Sequence, residues 1–254
     1  MHTAFFFAIA VIVFSRLLFQ WGEKELTWQR ALLKSFVESL LLLPLYNDYF
    51  YGLALGILAF NTVAFGADQL GENKYLYRFL IFMAYVVGFA FLMGEKQFFG
   101  NFHGYVSQVI EYARPKNLMV QYAQKIGWHK LSVLLAGSLV VVNEVNQLIR
   151  YILSKLKVEP QIEMENGRHI IIGQQKDLME LRRGRVIGII ERLLIFFFTL
   201  SGNIATIGFI LAAKGFTRFK ELENKNFAEY VLIGTLLSAS LALLVAVAVK
   251  AVIG

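Results

Sequence analysis

Six ionisable residues carry whatever chemistry this sequence performs: Glu144, Glu191, Arg192, Lys214, Arg218 and Glu229. Five of them fall in the last third of the chain, where charges are set into apolar sequence. The string Gly184-Arg185-Val186-Ile187-Gly188-Ile189-Ile190-Glu191-Arg192 runs directly into the apolar stretch 193–200. A second apolar run, 204–213, ends on Lys214, and Glu229 opens a third. A charge in or beside a bilayer is costly, so it is normally paired or functional. Three chemistries fit these residue types. Opposite charges near one membrane face can form an ion-pair network that locks helices together. Arg192, Lys214 and Arg218 can donate to an anion or a lipid headgroup. Glu191 or Glu144 can lie on a proton or ion path.

Enzyme chemistry has no comparable footing, and a non-enzyme is expected. The chain holds no P-loop, no HExxH and no Gly-x-Ser-x-Gly pattern. Its four histidines lack metal-ligand spacing, so no metal and no cofactor are expected. With no cysteine, thiolate and disulfide chemistry is excluded. The net charge of +7 does not point to nucleic acid, because membrane proteins collect Lys and Arg in cytoplasmic loops and near anionic lipid.

The elements that must position these residues are membrane helices. The chain is 57% hydrophobic and only 17% charged, whereas soluble domains carry about 25% charge. Apolar runs at 3–19, 31–46, 49–67, 78–94, 131–153 and 228–253 approach the roughly 20 residues of a spanning helix. The run 31–46 is short and holds Lys34 and Glu38, so it either spans with those charges near the interface or lies in the interface. The fifth run carries Asn143, Glu144, Asn146 and Gln147 in its second half. Glu144 is therefore buried among helices or marks the point where the helix leaves the membrane. The region 95–130 is too polar to span, and two short interfacial or outer helices are expected there. The segment 155–185 reads as a basic loop, with a possible hairpin around Asn166-Gly167. The fold class that follows is an all-α polytopic bundle forming one membrane domain of about five to seven inserted segments.

Charge distribution orients the chain. The 155–185 loop is the densest in short-range basic charge and is expected in the cytoplasm, which puts the N-terminus outside. Both 182–185 and 214–225 are basic, so a single span between them would expose one cluster on the wrong side. Two segments of about 15 residues, 186–200 and 203–216, are each too short to cross, and Ser201-Gly202 is a natural break between them. A re-entrant helical hairpin near 186–216 satisfies the charge rule; one tilted span over 193–213 is the alternative. Small residues at 52–56 (Gly52, Gly56) and 234–242 (Gly234, Ser238, Ala242) allow close helix packing, within one chain or in a homo-oligomer.

The strings GRVIGIIER at 184–192, IGFILAAK at 207–214, Arg218-Phe219 and AEYVLIGTLLS at 228–238 occur in that order within about 55 residues. This pattern resembles the C-terminal half of a family of uncharacterised prokaryotic integral membrane proteins, catalogued as a domain of unknown function. The resemblance implies a multi-pass protein of a prokaryotic cell membrane with a shared polar constellation, and implies no activity. The Asp-Phe-x-x-Gln element of that family's first helix is absent: 14–20 here reads FSRLLFQ, without the Asp.

The expected function is a small transport or channel-like protein built on the polar C-terminal hairpin. A scaffold or sensor presenting the basic loop to a cytoplasmic protein is the second class. A lipid-headgroup-binding enzyme is the third.

Overall fold

The computed structural model describes residues 2–20, 25–45, 50–70, 73–94, 108, 125–156, 174–217 and 225–254. The helices are α1 (His2–Gln20), α2 (Trp28–Leu41), α3 (Phe50–Gln69), α4 (Lys74–Gly94), α5 (Trp128–Val142), α6 (Glu144–Leu156), α7 (Gln174–Leu200), α8 (Ile204–Thr217) and α9 (Lys225–Ile253). The described residues include five stretches long and apolar enough to cross a bilayer: Thr3–Gln20, Phe50–Gln69, Lys74–Phe91, Trp128–Leu156 and Val231–Ile253. The fourth of these joins α5 and α6. The chain is an all-helical protein of multi-pass membrane character.

The helices fall into two compact units, residues 1–147 with 252–254, and residues 148–251. In the first unit α1 is the central helix. It packs against α5, α2 and α4, while α3 lies against α2 and α4. Ala8, Ile12 and Val13 on α1 are fully enclosed, together with Ile57 of α3, Phe82 and Tyr85 of α4 and Ala136 of α5. Phe6 meets His129 at the start of α5, and Arg16 meets Glu144 just past its end, so α1 and α5 run parallel.

The run 31–46 is not one helix. Thr27 caps α2 at its start by accepting a hydrogen bond from the Arg30 N–H at 3.4 Å. Leu42 closes it, and Leu43–Leu45 makes a single 3-10 turn. Pro44 lacks the N–H that would continue the ladder. The faces of α2 are reversed relative to a soluble amphipathic helix. Ala31, Lys34, Ser35 and Glu38, at i, i+3, i+4 and i+7, face inward, while Leu32, Leu33, Phe36 and Leu40 face outward. An outward apolar face beside an inward charged one suits lipid rather than water.

In the second unit α7 and α8 form an antiparallel hairpin, as Ser201-Gly202 implied, which excludes a single tilted span over 193–213. The turn is a Schellman motif. The Asn203 N–H donates to the Phe198 carbonyl at 2.9 Å and the Gly202 N–H to the Thr199 carbonyl at 3.1 Å. Gly202 has φ of 77°, a left-handed conformation that costs a residue with a Cβ roughly 1–2 kcal/mol. Gly202→Ala is therefore expected to lower stability by about 1 kcal/mol, read as a fall in melting temperature of the detergent-solubilised protein. The helix α7 starts at Gln174, so the predicted basic loop at 155–185 is shorter than expected at its C-terminal end. The reason is local: apart from Asp177, the residues of 174–183 are Gln, Lys, Leu, Met, Glu and Arg, strong helix formers despite their polarity. The rest of that loop, with the hairpin at Asn166-Gly167, lies outside the described residues, as do most of the helices expected over 95–130.

The two small-residue faces behave differently. A methyl group on Gly52 or Gly56 would meet open space, whereas one on Gly234 would touch Leu153 at 3.9 Å. The second face thus packs within the chain.

Candidate functional site

The first unit contains a buried polar column that links five helices. Its base lies where α3 ends and α4 begins. Asp68 accepts two parallel bonds from Arg78, Nε to Oδ1 and Nη2 to Oδ2, both at 2.7 Å. Asp68 Oδ2 also accepts the Leu26 N–H at 2.9 Å, tying the segment before α2 to the end of α3. The Arg78 backbone carbonyl accepts a bond from Arg16 Nη2 at 2.7 Å. Arg16 in turn grips Glu144 with Nε to Oε1 at 2.7 Å and Nη2 to Oε2 at 3.1 Å. Asn143, at the junction of α5 and α6, donates to Glu144 Oε1 at 2.8 Å.

One residue before Arg16, the hydroxyl of Ser15 donates to Glu38, which begins the upper part of the column. Glu38 receives three donors: Ser15 Oγ, Lys34 Nζ at 2.7 Å and Asn61 Nδ2 at 2.6 Å. The Lys34 ammonium also donates to Asn61 Oδ1 and lies over the ring of Tyr85, 5.8 Å from its centroid. Asn61 completes its own set by donating to Ser35 Oγ at 3.0 Å and accepting the Tyr85 hydroxyl at 3.3 Å. Arg16 completes the column with a cation–π contact to Phe82 at 5.9 Å.

The sequence places these groups together by helical periodicity. On α3 the inward positions are Phe50, Ile57, Asn61, Ala64 and Asp68, so both polar residues lie on its single buried stripe. On α4, Arg78, Ile81, Phe82, Tyr85 and Phe89 make the matching stripe. Lys34 and Glu38 are i, i+4 neighbours. The column holds three bases, Arg16, Lys34 and Arg78, and three acids, Glu38, Asp68 and Glu144. All six are 2% exposed or less, so each charge depends on its partner rather than on water.

Of the residues singled out from the sequence, Glu144 belongs to this column and is buried, not an interfacial marker. Glu191 and Lys214 meet across the α7–α8 hairpin at 2.5 Å, with both side chains partly exposed. Arg192 is buried, and its guanidinium folds back along α7 so that Nη1 lies 3.5 Å from where a Cβ on Gly188 would sit. A Cβ on Gly188 would meet that guanidinium at ordinary van der Waals distance. Glu229 is exposed at the start of α9. Arg218 lies outside the described residues.

Sequence reasoning missed Arg16, Lys34, Glu38, Asn61, Asp68 and Arg78 as site residues. A signal was present: Lys34 and Glu38 share a helix face, and Asn61 interrupts an otherwise apolar span.

No family model, no curated protein and no solved structure matches this chain. The class defined by fold and site together is a polytopic helical membrane protein with a charge-balanced polar core.

Proposed function

We propose that this protein is a small transport or channel-like membrane protein whose working path runs along the polar column of the N-terminal unit. The observation that carries this reading is the burial of three acids and three bases in two neighbouring hydrogen-bonded clusters within apolar helices. Ionisable groups inside membrane bundles mark ion pathways and proton relays. Glu38 is the natural carrier, because Ser15, Lys34 and Asn61 converge on its carboxylate from three helices. Lys34 can hand a proton to Glu38 over one hydrogen bond, and the movement leaves the pair neutral with no net change of charge. Ser15 and Arg16 are adjacent on α1, so that helix anchors both clusters.

The half-buried Glu191–Lys214 pair supports a second polar station, in a hairpin whose α8 arm of 14 residues is about 21 Å long and too short to cross a bilayer. That geometry fits a re-entrant element, which is tolerated where protein or water surrounds it.

The test is flux in proteoliposomes carrying an internal pH dye, with valinomycin and a potassium gradient supplying the potential. The protein is expected to conduct protons above the rate of empty liposomes. Glu38→Gln, which keeps shape and loses the carboxylate, is expected to return the rate to background while the protein still elutes as a folded species. Wild-type liposomes that pass neither protons, alkali cations nor chloride faster than empty ones would overturn the reading.

A further inference from the structure

Two buried acceptors stand outside the compensated column. The amide oxygens of Gln20 and Gln147 are enclosed and have no hydrogen-bond partner among the described residues. Both residues are more than nine-tenths buried, at 5% and 6% exposure. Their positions are related. Gln20 lies four residues beyond Arg16 on α1, and Gln147 three residues beyond Glu144 on α6. Arg16 and Glu144 are bonded at 2.7 Å. From there the two chains advance in the same direction, by about 6 Å and about 4.5 Å respectively. Both amides therefore lie one turn past the ion pair, at one level of the bundle and at the end where α1 terminates.

A buried acceptor without a donor is strongly disfavoured, and two of them at one level more so. Neither oxygen is supplied by Arg16, whose bonds go to Glu144 and to the Arg78 carbonyl. No described residue donates to either oxygen, and their neighbours, a bidentate ion pair and two amides, are polar. Buried water occupies such places, typically with two to four polar partners.

We propose that Gln20 and Gln147 bind ordered water, which continues the polar column beyond the Arg16–Glu144 pair toward the C-terminal end of α1. The chemistry needed is a small neutral molecule that can donate to an amide oxygen. Water does this and can also accept from the amide nitrogen. An alkali cation offers positive charge to the same oxygens, but it would bring an uncompensated buried charge beside an ion pair that is already neutral. The inference goes beyond transport, since a hydrated site at this level exists whether or not the column conducts.

The experiment is water-edited solid-state NMR on the full chain in lipid bilayers. Selective 13C/15N labelling of the Phe19–Gln20 and Asn146–Gln147 pairs assigns both residues without mutation. Magnetisation is expected to pass from water to both glutamine side chains much faster than to Ala8 or Val13, which are fully enclosed in the apolar core. Build-up as slow as at Ala8 would overturn the proposal. So would a shift of the two side-chain signals on exchanging potassium for N-methylglucamine, which would assign the site to a cation. Gln147→Met is expected to slow transfer to Gln20 as well, because the two amides share the water; an unchanged Gln20 would refute the shared site.

Discussion

Arg16→Met is expected to lower the stability of this protein by about 3–5 kcal/mol, the usual cost of leaving one member of a buried ion pair without the other. Among the described residues, Glu144, 1% exposed, would keep only the Asn143 amide as a donor, at 2.8 Å. The reciprocal change, Glu144→Met, is expected to cost a similar amount, because it strips the carboxylate from a guanidinium that is 1% exposed. The double substitution Arg16→Met with Glu144→Met is expected to recover most of the loss. It removes both charges together and leaves side chains that pack in an apolar bundle, and such replacements are often neutral or stabilising. The measurement is a double-mutant cycle, by reversible unfolding in mixed micelles. A double variant as unstable as the sum of the singles would mean that each residue acts through some other partner.

The second large effect is expected at Asp68. This carboxylate accepts three hydrogen bonds, two from Arg78 and one from the Leu26 N–H, and so joins α3, α4 and the segment entering α2. Asp68→Ala is expected to cost about 3–5 kcal/mol, since it removes a buried charge from its bidentate partner. Asp68→Asn keeps an acceptor for one of the three donors and is expected to cost less, about 2–3 kcal/mol, in line with the loss of a charge-assisted bond. The two sites are also coupled. The Arg78 carbonyl accepts from Arg16 Nη2, so a shift of α4 after loss of Asp68 disturbs the Arg16–Glu144 pair. Asp68→Ala combined with Arg16→Met should therefore fall short of additivity. Additive losses in the same unfolding assay would show that the two ion pairs are independent.

Both predictions concern residues whose roles in the sequence looked ordinary. Arg16 follows an uncharged run and reads as the basic end of a first span. Arg78 and Asp68 flank a short polar connection, where charged side chains reach interfacial water. Lys34 and Glu38 read as charges of a run that either spans with them near the interface or lies in the interface. Each reading is physically sound for a charge that has water within reach. In the structure these groups are buried instead, because the α2 helix turns its charged face inward and α1 lies at the centre of its unit.

What the sequence determined by itself was the class of architecture. Apolar run length specifies the spans at 3–20, 50–69, 74–91 and 231–253, because a bilayer-crossing helix must satisfy all its backbone polar groups internally over a set length. It also marked the break at Ser201-Gly202, where a glycine takes a left-handed turn, and left the choice between a hairpin and one tilted span to the structure. Tertiary structure alone decided the site. Glu144 read from the sequence as a buried acid or as a helix exit, and the choice fell to Arg16, a partner 128 positions away. Helical periodicity assigns a charged side chain to a face but carries no record of which other face it meets. Six charges admit many pairings, and only the packing of α1 among α2, α4 and α5 selects the one in which every charge is neutralised out of water.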